Sequence, residues 1–286
     1  MKVGYYPGCS LSGTGKEYDL SIRKVLEKLD VELAELNDWS CCGATSAHAT
    51  NHFLSIGLSS LNLFQAQKQN LEELFAPCAA CYNRMVVAKD ELGKGTETAK
   101  KISALNNGES TAKVNIINII QLFEKAGLEN ISAKTKMNLK GIKAACYYGC
   151  LLVRPFSITK FDDAEQPVAM EKIISAVGAE PVDWNYKVEC CGGAHSIAHK
   201  EIVVDLSKKI IDDAVKHGAN VIIVACPMCH SNLDMRQRAM KDTAAIPVLY
   251  LSEFVGLALG IDSKELGMNL HFTSTEPILE KVLVKE

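Results

Sequence analysis

The sequence predicts an α/β protein made of two similar cysteine-rich α/β domains related by a pseudo-twofold axis. Three observations predict it. A set of five cysteines occurs twice in the same order. Short apolar strands alternate with amphipathic helices in both halves, the pattern of a parallel-leaning sheet covered by helices. The cysteines fall where strands end, and open α/β sheets gather their ligands at those ends.

The repeat is the strongest of these. The first half opens with "VGYYPGC", ending at Cys9, and the second has "AACYYGC", ending at Cys150. "SCCGA", with Cys41 and Cys42, returns as "ECCGG", with Cys190 and Cys191. "APCAAC", with Cys78 and Cys81, returns as "ACPMC", with Cys226 and Cys229. The offset is 149 residues at the adjacent cysteines and 148 at the CxxC pairs. "VNIINIIQLFEKAG" (114–127) and "VLYLSEFVGLALG" (248–260) each read as strand, cap and helix, with Asn118 and Ser252 as the cap candidates.

The remaining elements follow in order. "KVGYYPG" and "GIKAACYYG" read as strands, and "NVIIVAC" as a strand buried on both faces. "EYDLSIRKVLEKL" and "EIVVDLSKKIIDDAVKHG" have helical period. The expected domains are 1–128 and 142–261, joined by the linker "ENISAKTKMNLKG" (129–141), with a C-terminal extension at 262–286. The polar stretch 93–110 has no counterpart in the second half and reads as a surface insertion.

Composition narrows the function. The chain has 286 residues, 48% hydrophobic and 23% charged, as in a globular protein. A formal net charge of -3 gives no reason to expect nucleic acid. No apolar run reaches the roughly 18 residues of a membrane span, and "MKVGYYPGCS" is not a secretory leader. The expected location is cytoplasmic. Eleven cysteines, an odd number in a long chain without an export signal, argue against a disulfide framework and for metal or redox chemistry.

Each half offers a lone cysteine, an adjacent pair and a CxxC pair. A structural zinc closes with four tetrahedral ligands, so five thiols are one too many. An iron–sulfur cluster spreads over several irons and gives two neighbouring thiols separate places. A cubane uses four cysteines, so five point to another cluster form. Gly43, Gly192 and Gly193 remove side chains where backbone would approach such a cluster. Zinc remains the alternative.

These motifs resemble the CCG, or cysteine-rich, domain family. Two such domains with little else are similar to the B-type subunit of methanogen heterodisulfide reductase over residues 3–260. Added ferredoxin-like motifs, which occur in related glycolate oxidase subunits and quinone-linked proteins, are absent. The resemblance implies two non-cubane 4Fe-4S clusters. One would be held by Cys9, Cys41, Cys42, Cys78 and Cys81, the other by Cys150, Cys190, Cys191, Cys226 and Cys229. It implies reductive cleavage of the coenzyme M–coenzyme B heterodisulfide in methanogenesis. It also implies partners: a flavin-containing subunit, a ferredoxin-like iron–sulfur subunit, and in larger complexes a hydrogenase or formate dehydrogenase. The alternative is an electron-transfer subunit of another CCG enzyme, linked to glycolate, lactate or fumarate.

Other residues are weighed beside these. His195, four residues after Cys191, is the proton-donor candidate, and His230, next to Cys229, a substrate contact. The implied substrate is anionic, so cations are expected around it. Arg154 leads, followed by Lys187 and Arg84; for Lys187 and Arg84 individually a solvated or salt-bridged base is the plainer reading. Cys146, aligned with Gly4, reads as a buried strand residue, the alternative being that it replaces Cys150. His48, His52 and His199 read as packing or surface residues, and Lys16 as part of a polar loop opening a helix near Glu17.

Overall fold

The computed structural model describes residues 1–108 and 112–284. Among the described residues, ten strands form in chain order: β1 (Lys2–Tyr5), β2 (Glu32–Glu35), β3 (Glu73–Phe75), β4 (Asn115–Ile117), β5 (Met137–Asn138), β6 (Lys143–Tyr147), β7 (Glu180–Pro181), β8 (Val221–Val224), β9 (Val248–Tyr250) and β10 (Leu283–Val284). They build two four-stranded parallel sheets of the same order, β2-β1-β3-β4 and β7-β6-β8-β9. The expected pair of similar α/β domains is therefore present, and the topology repeats with the cysteines.

Strand order decides where a site can form. From β1 the chain moves outward to β2, then crosses back to β3 on the other side. Loops leaving β1 and β3 therefore run apart and open a crevice at the sheet's carboxyl end. Cys9 follows β1 and Cys78 follows β3. In the second sheet the reversal lies between β6 and β8, which lead to Cys150 and Cys226.

The helices form where their apolar spacing allows. Helix Lys16–Lys28 buries Tyr18, Ile22, Val25 and Leu26, one stripe at helical spacing. Burying each aliphatic side chain of that stripe contributes about 2 kcal/mol. The stripe packs on helix Leu251–Ala258 of the second half. Close approach there leaves no room at Gly256, where a Cβ would stand 3.0 Å from Val25 Cγ2. Two further contacts are exchanged across the axis. Helix Gly8–Ser12 packs on helix Pro227–Met235, and helix Ala79–Lys94 packs on helix Cys150–Val153.

Two expectations change. Asn118 caps helix Ile119–Ala126 through bonds from Ile120 N and Gln121 N, but Ser252 is not a cap. Helix Leu251–Ala258 begins two residues earlier than a Ser252 cap would place it, with Tyr250 at the N-cap, because the Glu253 carboxylate accepts from Tyr250 N at 2.8 Å. Ser252 instead pairs its hydroxyl with Ser21 at 2.7 Å across the halves. The insertion 93–110 is not a loop throughout. Thr96 caps helix Glu97–Leu105, which buries Ala99 and Ile102; residues 109–111 lie outside the described residues.

Segment 129–141 carries most of helix Leu128–Lys134 and strand β5. β5 pairs antiparallel with β10, so the C-terminal segment returns to the middle of the chain. No helix among the described residues is long and apolar enough to cross a membrane.

Candidate metal centre

Every cysteine of the two sets sits on a loop or short helix beyond a strand's carboxyl end, or in the first turn of the helix that follows. Cys9 and Cys150 lie on the short helices after β1 and β6. Cys78 and Cys226 are the N-cap residues of the helices after β3 and β8. Cys81 and Cys229 follow in the first turns, as a CxxC spacing on a helix start requires. The adjacent pairs lie on the loops after β2 and β7.

The thiols converge within each half. Cys42 Sγ is 3.2 Å from Cys81 Sγ, and Cys191 Sγ is 3.5 Å from Cys229 Sγ. Hydrogen bonds from Cys41 and Cys81 pull the Cys42 thiol down to about 3. Cys190 is pulled down to about 6, first by Cys150 and then by the N–H groups of Gly192 and Gly193. Thiolates are the species that bind metal. The inner cysteines also interact across the halves, since Cys226 raises the Cys78 thiol and Cys78 lowers that of Cys226. The two arrays thus lie near enough to act on one another.

Glycine makes room for them at equivalent places. Gly8 and Gly149 have φ of +63° and +67°, and a Cβ there would stand 3.4 Å from Cys81 Sγ and 3.1 Å from Cys229 Sγ. Gly43 and Gly192 have φ of +73° and +78°, and their N–H groups point at Cys41 Sγ (3.4 Å) and Cys190 Sγ (3.3 Å). Only glycine adopts such backbone readily. Backbone donors aimed at sulfur withdraw charge from a thiolate and so tune any metal it binds.

A cavity of about 240 Å³ is lined by all five cysteines of the second set. Its far wall belongs to the first half and includes Thr45, His48, Ala80 and Arg84. Five thiols, glycine cradles and backbone donors fit an iron–sulfur cluster, and exceed the four ligands of a structural zinc. A larger cleft of about 720 Å³ adjoins it, sharing Thr45, Gly193, Ala194 and Met228 as lining. It carries no cysteine, so of the two only the smaller cavity is lined by thiols.

The other expected residues are dispersed. Arg154 lines neither cavity; it pairs on the surface with Glu165 at 2.8 Å. Lys187 is buried and spends its charge on Glu171 at 2.8 Å, so it is a structural base. His230 lines the larger cleft, but burial drives its pKa well below the usual value and its Nε2 is held by Val248 O at 3.1 Å. A neutral imidazole brings no charge to an anion. His195 is exposed and lines neither cavity, though it lies close enough to lower the Cys190 thiol.

Cys146 is fully buried in β6, with Glu171 and Lys187 rather than a thiol as its electrostatic neighbours. His52 and His199 are exposed, in keeping with a surface role. His48, expected as a packing or surface residue, stands on the cavity wall with Nδ1 at 2.9 Å from Arg84 Nη1. Arg84 is the weakest cation candidate by sequence position, yet it is the one that reaches the thiol cavity. Lys16 opens helix Lys16–Lys28 as expected and borders the larger cleft.

Fold and site together define a two-domain α/β protein that carries two repeated arrays of five thiols. Residues 3–86 and 144–234 both match the cysteine-rich domain, CCG. The chain belongs to the CCG cysteine-rich domain family. It is 31% identical to the 8-methylmenaquinol:fumarate reductase membrane anchor subunit of Wolinella succinogenes, over 94% of this chain and 95% of that protein. It is 26% identical to the B-type subunit of the ferredoxin:CoB-CoM heterodisulfide reductase of Methanosarcina mazei, over 98% of this chain and 97% of that one. In fold it resembles a hypothetical protein from Helicobacter pylori (TM-score 0.75, 12% identity), covering 96% of this chain and 52% of that structure.

Proposed function

We propose that the chain is the catalytic iron–sulfur subunit of a heterodisulfide reductase-type oxidoreductase. In this reading it cleaves the coenzyme M–coenzyme B disulfide reductively between two non-cubane 4Fe-4S clusters. The observation that carries the reading is the meeting of two complete five-thiol arrays at the axis, beside a cavity walled by both halves. Disulfide reduction consumes two electrons and two protons and yields two thiols. Bound clusters would supply single-electron transfer and an iron open to substrate sulfur.

The chain's own residues do the rest. The ten cysteines hold the two clusters. Gly43 and Gly192 present N–H groups to the outer sulfurs. Arg84, held by His48 Nδ1 and Asn83 Oδ1, offers a fixed positive charge to an anionic substrate group. Ala44, Ala194 and Met228 give the cavity an apolar lining beside the thiols. His195, beside Cys190, is the proton donor. Electrons arrive through a flavin-containing partner and a ferredoxin-like partner, associated in larger complexes with a hydrogenase or formate dehydrogenase. The complex is cytoplasmic.

Iron and acid-labile sulfide analysis of anaerobically purified protein tests the cofactor, with about eight irons per chain expected. Zinc without sulfide would sink it. Cleavage of the heterodisulfide by a reduced dye then tests the activity.

A second reading has its own support. The Wolinella relative belongs to a menaquinol:fumarate reductase, and apolar side chains ring the larger cleft. Ile197 is 91% exposed, Leu270 53% and Phe272 49%. An apolar mouth of this kind suits a quinol, or a partner that carries one. Intact clusters with no disulfide cleavage, but reoxidation by a menaquinone analogue, would select it.

A further inference from the structure

We propose that Tyr18 is a positioning residue that fixes the two arrays relative to one another by tying together the CxxC turns of both halves. The proposal deepens the iron–sulfur reading and rests on it for one of its two readouts.

Tyr18 stands in the first turn of helix Lys16–Lys28 and is completely buried. Its hydroxyl reaches two backbone carbonyls, Pro77 O at 3.5 Å and Ala225 O at 3.4 Å. These residues immediately precede Cys78 and Cys226, the first cysteines of the two CxxC pairs. One O–H proton is therefore shared by equivalent turns of both sheets. Cys78 and Cys226, the thiols that meet across the axis, are also among the charges that raise the Tyr18 phenol above its usual range, after burial.

The ring is held as firmly as the hydroxyl. It stacks on Tyr250 with centroids 4.1 Å apart and planes 7° from parallel. Tyr250 stacks in turn on His230, at 4.1 Å and 18°, and His230 is the neighbour of Cys229 in the second turn. One turn along the same helix, Ser21 and Ser252 close the interface at 2.7 Å.

The link breaks the pseudo-symmetry. Tyr18 stands in the helix between β1 and β2, and the corresponding helix between β6 and β7, Ala169–Ala176, carries no tyrosine. The tie is thus made once, from the first half. A hydroxyl placed between two turns restricts both, whereas stacking alone would hold only the ring. Because the hydroxyl lies beside the inner thiols, its removal also changes the field they experience.

The test compares Tyr18→Phe, which keeps the stack and loses the O–H, with Ser21→Ala, which loosens the same interface away from the cysteines. In the metal-free full chain, diamide takes two electrons and two protons from a thiol pair and leaves a disulfide. Peptide mapping then compares the Cys78–Cys226 cross-link with the Cys42–Cys81 cross-link inside the first half. Tyr18→Phe is expected to lower that ratio at least fivefold, and Ser21→Ala to leave it unchanged.

In the iron-loaded chain, Tyr18→Phe is expected to retain full iron, while its cluster midpoint potentials shift and the magnetic interaction in its EPR spectrum changes. Unchanged cross-linking and potentials would overturn the proposal, as would an equal effect of Ser21→Ala. If the wild-type chain binds no iron, the iron–sulfur reading fails, and the cross-linking ratio still decides the role of Tyr18.

Discussion

The side-chain amide of Asn83 donates to the backbone carbonyl of Arg154 at 2.7 Å, joining the first half's CxxC helix to the second half's lone-cysteine loop. The same nitrogen reaches Leu151 O at 2.9 Å, next to Cys150. Asn83 is fully buried and lies two residues after Cys81. Asn83→Ala leaves two acceptors without this donor. It should cost about 2 kcal/mol in urea unfolding, and the second set of cysteines should lose iron faster than the first on dilution with a chelator.

Gly149 separates backbone strain from crowding of the site. Both Gly149 and Gly141 have positive φ, +67° and +86°. A Cβ at Gly141 meets nothing within 4 Å, whereas one at Gly149 stands 3.1 Å from Cys229 Sγ. Each Gly→Ala change should cost about 1 kcal/mol in stability through strain. Only Gly149→Ala should lower the iron content, measured colorimetrically on purified protein. Equal iron loss in both would point to strain alone.

Arg84 and Arg154 separate a cation in the cavity from one on the surface. Burial lowers the Arg84 pKa from its usual value, and its guanidinium borders the thiol cavity. Arg84→Gln should raise KM for an anionic disulfide about tenfold, as expected for the loss of one charge-assisted contact. Arg154→Gln removes an exposed pair with Glu165 and should leave KM unchanged. Steady-state kinetics with a reduced dye compares them.

His271 anchors the C-terminal segment by a buried pair, its Nε2 lying 2.9 Å from Glu253 Oε1. Burial pulls the His271 pKa down, but Glu253, with smaller help from Asp234 and Glu17, raises it overall above 6.5. The folded chain therefore holds this proton more tightly than the unfolded chain. Its stabilisation is complete below about pH 6.5 and fades as pH rises through the raised value. Glu253 is itself raised above 4.5, mainly by burial, which also disfavours the folded chain as pH increases. His271→Gln should cost about 3 kcal/mol at pH 6, because it leaves a buried carboxylate without its cation, and clearly less at pH 9. Thermal melts at the two pH values measure the difference.

Much of this protein is legible along the chain because its information is periodic. Val221–Val224 is apolar at every position, so it forms a strand buried on both faces. Tyr18, Ile22, Val25 and Leu26 recur at helical spacing, so they form one buried stripe. The cysteine sets are local motifs at strand ends, and their repetition announces two like domains. Ser252 reads as a cap because serine commonly fills that position. The helix begins at Leu251 instead, where Glu253 can bind the preceding N–H. The helix within 93–110 is hidden in the sequence because a short polar segment shows its two buried residues, Ala99 and Ile102, only when a neighbour covers them.

By itself the sequence determined the donor atoms: two sets of five thiols, each with its glycines, on two α/β sheets. Only the tertiary structure decided which other groups stand beside them. Arg154 lies four residues from a cysteine but pairs with Glu165 on the surface. Arg84 and His48 come from the first half to wall the thiols of the second. Tyr18 meets carbonyls 59 and 207 residues away. Sequence distance reports contact within a turn, where the backbone sets the geometry. Across a pseudo-twofold axis, contact is set by how two sheets pack, which no local spacing encodes.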